Sequence, residues 1–140
     1  MYELIYYSIA SPSLQRKDIS DILEVSQENN AKNDITGCML YHNDAFIQIL
    51  EGDRKAVESL YSKIEQDKRH YNARVVYNDN IEERLFKNWS MAFLDLDKND
   101  TDGKVKSSFR ENFIAISNQT GYSSVASQLF WHISKQVINE

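Results

Sequence analysis

Glycine, proline and cysteine are all scarce in this sequence of 140 residues, and each shortage excludes a class of protein. With 4 glycines, a single proline and no stretch of low complexity, the sequence predicts neither a disordered tail nor a flexible linker. The single cysteine, Cys38, cannot form a disulfide within the chain, and its apolar neighbours predict a small buried side chain. We therefore expect a folded protein in the reducing cytoplasm.

Long apolar runs and clusters of basic residues are also missing. No 18 apolar residues run together, and the first residues lack the basic region and apolar core of a secretion signal, so we predict neither secretion nor membrane insertion. A net charge of -5 offers no basic surface to phosphates, so we predict no nucleic-acid partner.

Common catalytic signatures are absent as well. The sequence has no Gly-rich phosphate loop and no nucleophile elbow. Its histidines, His42, His70 and His132, fall on separate predicted elements, which favours surface positions over a metal site. Metal catalysis and the common nucleophilic mechanisms are therefore not expected.

The apolar residues, 41% of the chain, are enough for one ordinary core, and their spacing predicts alternating strands and helices. Strands are predicted at residues 4–7, 35–42, 45–50, 73–77 and 89–94. Amphipathic helices are predicted at about 17–30 and along Val57, Leu60, Tyr61 and Ile64, the second capped by Asp53, with a short helical piece at about 81–86. The predicted order is βαββαββ, and residues 96–140 are expected to add two C-terminal helices to the same globular unit as residues 1–95.

Four polar residues stand among apolar ones in these predicted elements. Tyr6 and Ser8 share a face of the first strand, Asn30 ends the first helix, and Gln48 interrupts a strand of the hairpin. Buried polar groups need hydrogen-bond partners, which an ordinary internal network would provide. A ligand that is flat, apolar on its faces and polar along its edge, such as an isoalloxazine ring, would provide them equally well. The residues alone leave the two interpretations level.

Several short sequence blocks favour the ligand over the internal network. Taken in their order along the chain, they resemble the BLUF family of flavin-using blue-light sensors. The resemblance extends over roughly residues 2–95 and rests on residues 6–8 (YYS), 26–30 (SQENN), 35–37 (ITG), 46–52 (FIQILEG), 67–70 (DKRH) and 89–91 (WSM). It implies an α+β, ferredoxin-like sheet with two helices on one face and a non-covalently bound FAD between those helices, a site that FMN or riboflavin could also occupy.

The resemblance also assigns roles to individual residues. Tyr6 and Gln48 would form the photochemical pair, in which the tyrosine donates an electron and a proton and the glutamine rotates or tautomerises, shifting the absorption to the red. The remaining assignments are Ser8 in the cofactor site, Ile22 and Ile64 against the ring faces, Asn30 at the ring edge with Asn29 beside it, Arg69 and His70 toward the phosphates, and Trp89 and Met91 as the signal relay. Two positions depart from the family pattern: Tyr7, a possible second electron donor on the opposite face from Tyr6, and Asn29, where some members have histidine.

No enzyme domain is recognisable, so the light signal is expected to act on an unknown protein partner or on self-assembly. Phe130 and Trp131 in the C-terminal segment are suited to oligomer contacts or to covering the sheet. Two other classes stay open, a small flavin-dependent reductase and a ligand-binding or purely structural ferredoxin-like module. The lack of a nicotinamide fingerprint disfavours the reductase.

Overall fold

The chain alternates strands and helices in the predicted order. A computed structural model describes residues 1–41 and 44–84, and the backbone of residues 42 and 92–95. The elements are β1 (Tyr2–Ala10), α1 (Arg16–Lys32), β2 (Thr36–His42), β3 (Ala45–Gly52), α2 (Arg54–Gln66), β4 (His70–Asn80) and β5 (Ala92–Asp95). The α+β class and the order βαββαββ are therefore confirmed, whereas the predicted C-terminal helices, with Phe130 and Trp131, lie outside the described residues.

One sheet contains all five strands, in the order β4-β1-β3-β2-β5. The first four strands pair antiparallel, and β5 adds to the edge parallel to β2. The first six elements follow the βαββαβ order of ferredoxin-like folds. This order places β1 and β3, which carry Tyr6 and Gln48, side by side in the middle of the sheet.

Both helices pack on the same face of the sheet. Side chains from α1 and α2 enter one apolar cluster with alternate residues of β1, β2 and β3, among them Leu4, Tyr6, Met39, Leu50, Ile19 and Val57. Asp53 caps α2 as predicted, because its carboxylate accepts a hydrogen bond of 3.2 Å from the backbone N–H of Lys55. Neither described helix combines the length and apolar character that crossing a bilayer requires.

The opposite face of the sheet is also apolar and buried at its centre. Ile5, Cys38 and Ile49 are each exposed to 1% or less. The prediction of a small buried cysteine is confirmed, and burial raises the pKa of its thiol to about 12, with the charge of Glu51 as a second cause. This thiol is protonated and has the character of a packing group.

Several predicted boundaries differ from the structure: β1 and β3 are longer than predicted, and β4 extends at both ends. β4 runs to Asn80, past the predicted end at residue 77, because it pairs with β1 along its whole length, up to Tyr2 opposite Asn80. The helix predicted at 81–86 is wrong for residues 81–84, which form no helix. There the backbone N–H of Ile81 bonds to the carbonyl of Met1, and the Arg84 side chain bonds to the carbonyl of Asp34, so tertiary contacts override the local helical pattern.

Candidate functional site

A cleft opens between the two helices and the sheet. It holds about 750 Å³ of empty space, a volume that includes solvent at its open mouth. The lining comes from α1 (Ile22, Val25, Ser26, Asn29), from α2 (Leu60, Lys63, Ile64), from the sheet (Tyr6, Met39, Phe46, Gln48) and from the turn before β4 with its first residue (Asp67, Arg69, His70). The cleft therefore has apolar walls and several polar groups.

Tyr6 and Gln48 meet at the bottom of this cleft. They lie directly opposite each other in the antiparallel pairing of β1 with β3, so their side chains leave the sheet on the same face. The Tyr6 hydroxyl donates a hydrogen bond to Gln48 Oε1. Both side chains are buried, with exposures of 3% and 1%. Burial, with smaller effects of Tyr61 and Asp67, raises the pKa of Tyr6 well above its usual range, so the phenol keeps its proton.

Two aromatic rings lie close to that of Tyr6. Its ring centroid lies 5.5 Å from that of Tyr61 on α2 and 6.5 Å from that of His70 at the start of β4. His70 also packs edge-on against Phe46 at 6.3 Å, and its Nε2 is hydrogen-bonded to the carbonyl oxygen of Ile64. The expectation of a surface histidine is therefore wrong for His70, which is half-buried in the cleft wall because its register partner is Ala10, on the helix-covered face.

Charged side chains gather at the mouth of the cleft. Arg69 holds the Asp67 carboxylate in a fork, with Nε at 3.0 Å from Oδ1 and Nη2 at 2.5 Å from Oδ2. These hydrogen bonds lower the pKa of Asp67 and raise that of Arg69, to which Asp18 and Asp21 of α1 add their charge. The charge of Arg69 is thus largely balanced within the protein, while Lys63 also lines the cleft and is exposed.

The remaining sequence-predicted site residues are brought together only in part. Ile22, Ile64 and Asn29 line the cleft from the two helices. Asn30 and Ser8 are buried nearby, with exposures of 1% and 0%, but do not line the cleft. Trp89 and Met91, the predicted signal relay, lie outside the described residues.

The chemistry of the cleft fits a flavin. Asn29 and Gln48 bring amide groups to its lining, the kind of groups that a polar ligand edge can satisfy, and close to it the buried hydroxyl of Ser8 makes no hydrogen bond within the described part of the chain. Apolar side chains of Ile22 and Ile64 enter the cleft from two different helices, which suits a flat ring between them. No three metal-ligating side chains lie together among these described residues.

The sequence analysis assigned no role in the site to several lining residues, nor to Tyr61 beside Tyr6. These lining residues are Val25, Ser26, Met39, Phe46, Leu60, Lys63 and Asp67. Phe46 and Tyr61 were recognised only as apolar positions of a strand and a helix. Their period identified the face on which they lie. It could not indicate that a cleft opens on that face.

Comparison with known proteins gives the family. A sequence model of BLUF, described as sensors of blue-light using FAD, matches residues 1–92. The photoactivated adenylate cyclase subunit alpha of Euglena gracilis is 41% identical over 83 residues, 59% of this chain and 8% of that protein. The blue light- and temperature-regulated antirepressor BluF of Escherichia coli (strain K12) is 31% identical over 106 residues, 76% of this chain and 26% of that protein. The chain therefore spans a small part of the length of these relatives.

Solved structures share the architecture as well. The BLUF protein BlrB in its dark state is 32% identical, with a TM-score of 0.65 over 67% of this chain and 71% of that one. The photo-activated state of BlsA is 26% identical, with a TM-score of 0.69 over 98% of this chain and 94% of that one. Both likenesses agree with the α+β fold described above.

Proposed function

This chain belongs to the BLUF family of flavin-binding blue-light sensors, and from that premise we propose that it reports blue light through the Tyr6–Gln48 hydrogen bond. The observation that carries the proposal is the geometry of this pair. A phenol donates to an amide oxygen on the neighbouring strand, both are buried, and both line a cleft that fits a flavin.

Each member of the pair has one chemical task. When bound, the flavin supplies the absorption of blue light and an acceptor for one electron. The Tyr6 phenol is an oxidisable group with one proton, and its hydroxyl is already directed at Gln48 Oε1. Gln48 can exchange its donor and acceptor ends by rotation or tautomerisation, and either change alters the hydrogen bonds that it offers to a ligand in the cleft. Burial keeps water from taking over these bonds.

We propose that FAD is the natural ligand and that FMN or riboflavin can replace it, since the described cleft residues mainly suit the flavin ring. Ile22 and Ile64 would contact the ring faces. Asn29 and Gln48, which line the cleft, would serve its polar edge, and we propose the same role for Asn30 and Ser8, which are buried beside the cleft. Arg69 and His70 were expected toward the phosphates. Because His70 lies against Tyr6 and Arg69 is paired with Asp67, Lys63 is the better candidate for a phosphate contact.

The output is proposed to be a change in binding between proteins, passed on through Trp89 and Met91 to residues 96–140. A partner responds to light only if it binds the dark and lit states with different affinity. The relatives include a light-activated cyclase subunit and an antirepressor, in which the matched region is a fraction of the protein. We therefore propose a sensor without enzymatic activity of its own, acting in the cytoplasm.

Two substitutions test the photochemical pair. Tyr6→Phe and Gln48→Leu remove one hydrogen-bonding group each while keeping most of the volume, so flavin should stay bound and the light-induced red shift should disappear. The absorption spectrum before and after blue light measures both. Tyr77→Phe on β4 is the matched control, since Tyr77 is paired in register with Ile5 and does not line the cleft.

The same spectra separate the alternatives. A normal red shift in either variant would contradict the role of the pair. Wild-type protein that binds flavin but is bleached by a reduced nicotinamide would indicate a reductase, and protein purified without yellow colour that takes up no added flavin would indicate a structural module.

A further inference from the structure

Tyr61 is the aromatic side chain of α2 that contacts Tyr6. The two ring centroids are 5.5 Å apart with the planes tilted by 52°, a favourable arrangement for aromatic pairs. Resting on the function proposed above, we propose that Tyr61 is a positioning residue, whose ring holds Tyr6 in the orientation from which its hydroxyl reaches Gln48. Tyr61 does not itself line the cleft, so this role is separate from flavin binding.

Tyr6 needs such support, because its own hydrogen bond does not fix its ring. The hydroxyl donates to Gln48 at the tip of the side chain, and the ring can still turn about the bonds that connect it to β1. Two rings lie close to it, Tyr61 at 5.5 Å and His70 at 6.5 Å between centroids. Close-packed neighbours restrict the ring to one rotamer, and loss of the nearer ring would release it.

Both flanking rings are held by the last turns of α2. Tyr61 belongs to the helix. Ile64 follows it by three residues, and the carbonyl oxygen of Ile64 is hydrogen-bonded to His70 Nε2. Residues three apart lie on the same side of a helix, so Tyr61 and Ile64 point toward the sheet together. Ile64 also lines the cleft. One helical turn thus contacts the ligand site and sets the position of the electron donor.

The two phenols also interact electrostatically. After burial, Tyr61 is the largest cause of the raised pKa of Tyr6. The pKa of Tyr61 is itself raised, by its partial burial and by the charge of Glu65. Tyr61 is therefore a neutral phenol beside Tyr6, and its ring can act through packing without introducing a charge.

Truncation of the ring tests the proposal. Tyr61→Leu should speed the dark recovery of the red-shifted state roughly fivefold, the factor expected for the loss of one aromatic pair. It should also displace the tyrosine bands in the light-minus-dark infrared spectrum of protein carrying ring-deuterated tyrosine. Tyr61→Phe keeps the ring and should stay within about twofold of wild type in recovery rate. Should the leucine variant fold poorly, Tyr61→Met fills the space with a flexible side chain and should show the same changes.

Tyr2→Leu is the matched control for lost packing. Tyr2 lies on the same face of β1 and in the same apolar cluster, at an exposure of 5%, but its register partner is Gly52 rather than Gln48. It should lower the stability and leave the recovery rate and the tyrosine bands unchanged. Wild-type recovery and unshifted bands in Tyr61→Leu or Tyr61→Met would overturn the proposal, as would a phenylalanine variant that changes as much as the leucine variant. Failure of the Tyr6–Gln48 switch would appear separately, as a wild-type red shift that Tyr6→Phe does not abolish.

Discussion

The two faces of the central strands each bury a pair of polar residues, and the pairs differ in what surrounds them. On the helix-covered face Tyr6 lies opposite Gln48, and on the other face, three positions along the same strands, Glu3 lies opposite Glu51. All four side chains are exposed to 3% or less. Tyr6 and Gln48 line an open cleft, whereas Glu51 belongs to a network with Thr36 and Arg84.

The network of Glu51, Thr36 and Arg84 links β2, β3 and the segment after β4. The Thr36 hydroxyl donates to Glu51 Oε1 at 3.1 Å and accepts from Arg84 Nη1 at 2.9 Å. Arg84 also donates to the backbone carbonyls of Glu51 at 3.3 Å and of Asp34 at 2.7 Å. Like charges directly opposite each other in a sheet are destabilising, and Arg84 brings a positive charge next to Thr36, the hydrogen-bond partner of Glu51. A buried polar pair that lines a cleft can therefore change its hydrogen bonds and act as a switch. A buried polar residue that is hydrogen-bonded within a network instead stabilises the fold.

Separation of the central strands should disturb the residues on both faces of the sheet, and it is the change with the largest expected effect on stability. A Cβ at Gly37 would lie 2.0 Å from the backbone carbonyl oxygen of Ile49, so Gly37→Ala must push β2 away from β3. Such overpacking should cost about 3 kcal/mol of unfolding free energy and abolish flavin binding as well. Urea unfolding and flavin absorbance measure the two effects.

Gly52→Ala provides the comparison at a second glycine. There a Cβ would meet the carbonyl oxygen of Asp34 at 3.1 Å, a contact that a small shift can relieve. We expect a loss of about 1 kcal/mol or less. Equal stability of the Gly37→Ala and wild-type proteins would show that the strands separate without cost, and the two faces could then not be treated as one rigid unit.

The sequence allows the helix-covered face to be predicted much better than the opposite one. Alternation placed Tyr6 and Ser8 on one face of β1, and helical spacing placed Ile22 and Ile64 on the inner sides of the helices. Both signals are local. The resemblance to the BLUF family then supplied the pairing of Tyr6 with Gln48, which depends on a contact between residues 42 positions apart.

The Glu51 network could not be predicted in the same way. Glu51 precedes Gly52 and Asp53, a sequence typical of a solvated turn, and Arg84 falls in a stretch with a helical pattern. Their contact joins residues 33 positions apart and depends on β3 reaching Gly52 and on the chain after β4 passing the end of β2. A charged residue is exposed by default, and only the tertiary fold makes Glu51 an exception.

Loss of the Arg84 guanidinium should lower the stability of the fold and leave the Tyr6–Gln48 pair unaffected. Arg84→Gln removes hydrogen bonds that involve a charged donor, and should lower the unfolding free energy by about 2 kcal/mol. The red shift should remain, because Arg84 does not line the cleft. Arg54→Gln is the matched control, since Arg54 pairs with Glu58 on the surface of α2 at exposures of 64% and 48%, and its loss should lower the stability much less. A loss of stability no larger than that of the control would mean that the network contributes nothing measurable.

The smallest effect is expected at the mouth of the cleft, where Asp67 and Arg69 are both partly exposed, at 30% and 39%. Arg69 lowers the pKa of Asp67 below the ~3.9 of an unfolded chain. The folded state is therefore stabilised above about pH 4, and this contribution is lost as the pH falls through the folded pKa. Asp67→Asn should make the stability less dependent on pH in the acid range, by about 0.2 to 1 kcal/mol, the range for exposed ion pairs.

A double-mutant cycle distinguishes this pair from a general effect of acid. Arg69→Gln should flatten the same pH range as Asp67→Asn, and the double variant should add almost nothing further, because each substitution already removes the one interaction. Unfolding is followed from pH 3 to pH 7 with flavin in fixed excess. Independent, additive effects of the two substitutions would show that the fork between Asp67 and Arg69 is not maintained in solution. Arg69 would then be available to bind a phosphate. The mouth of the cleft would no longer have its positive charge neutralised by Asp67.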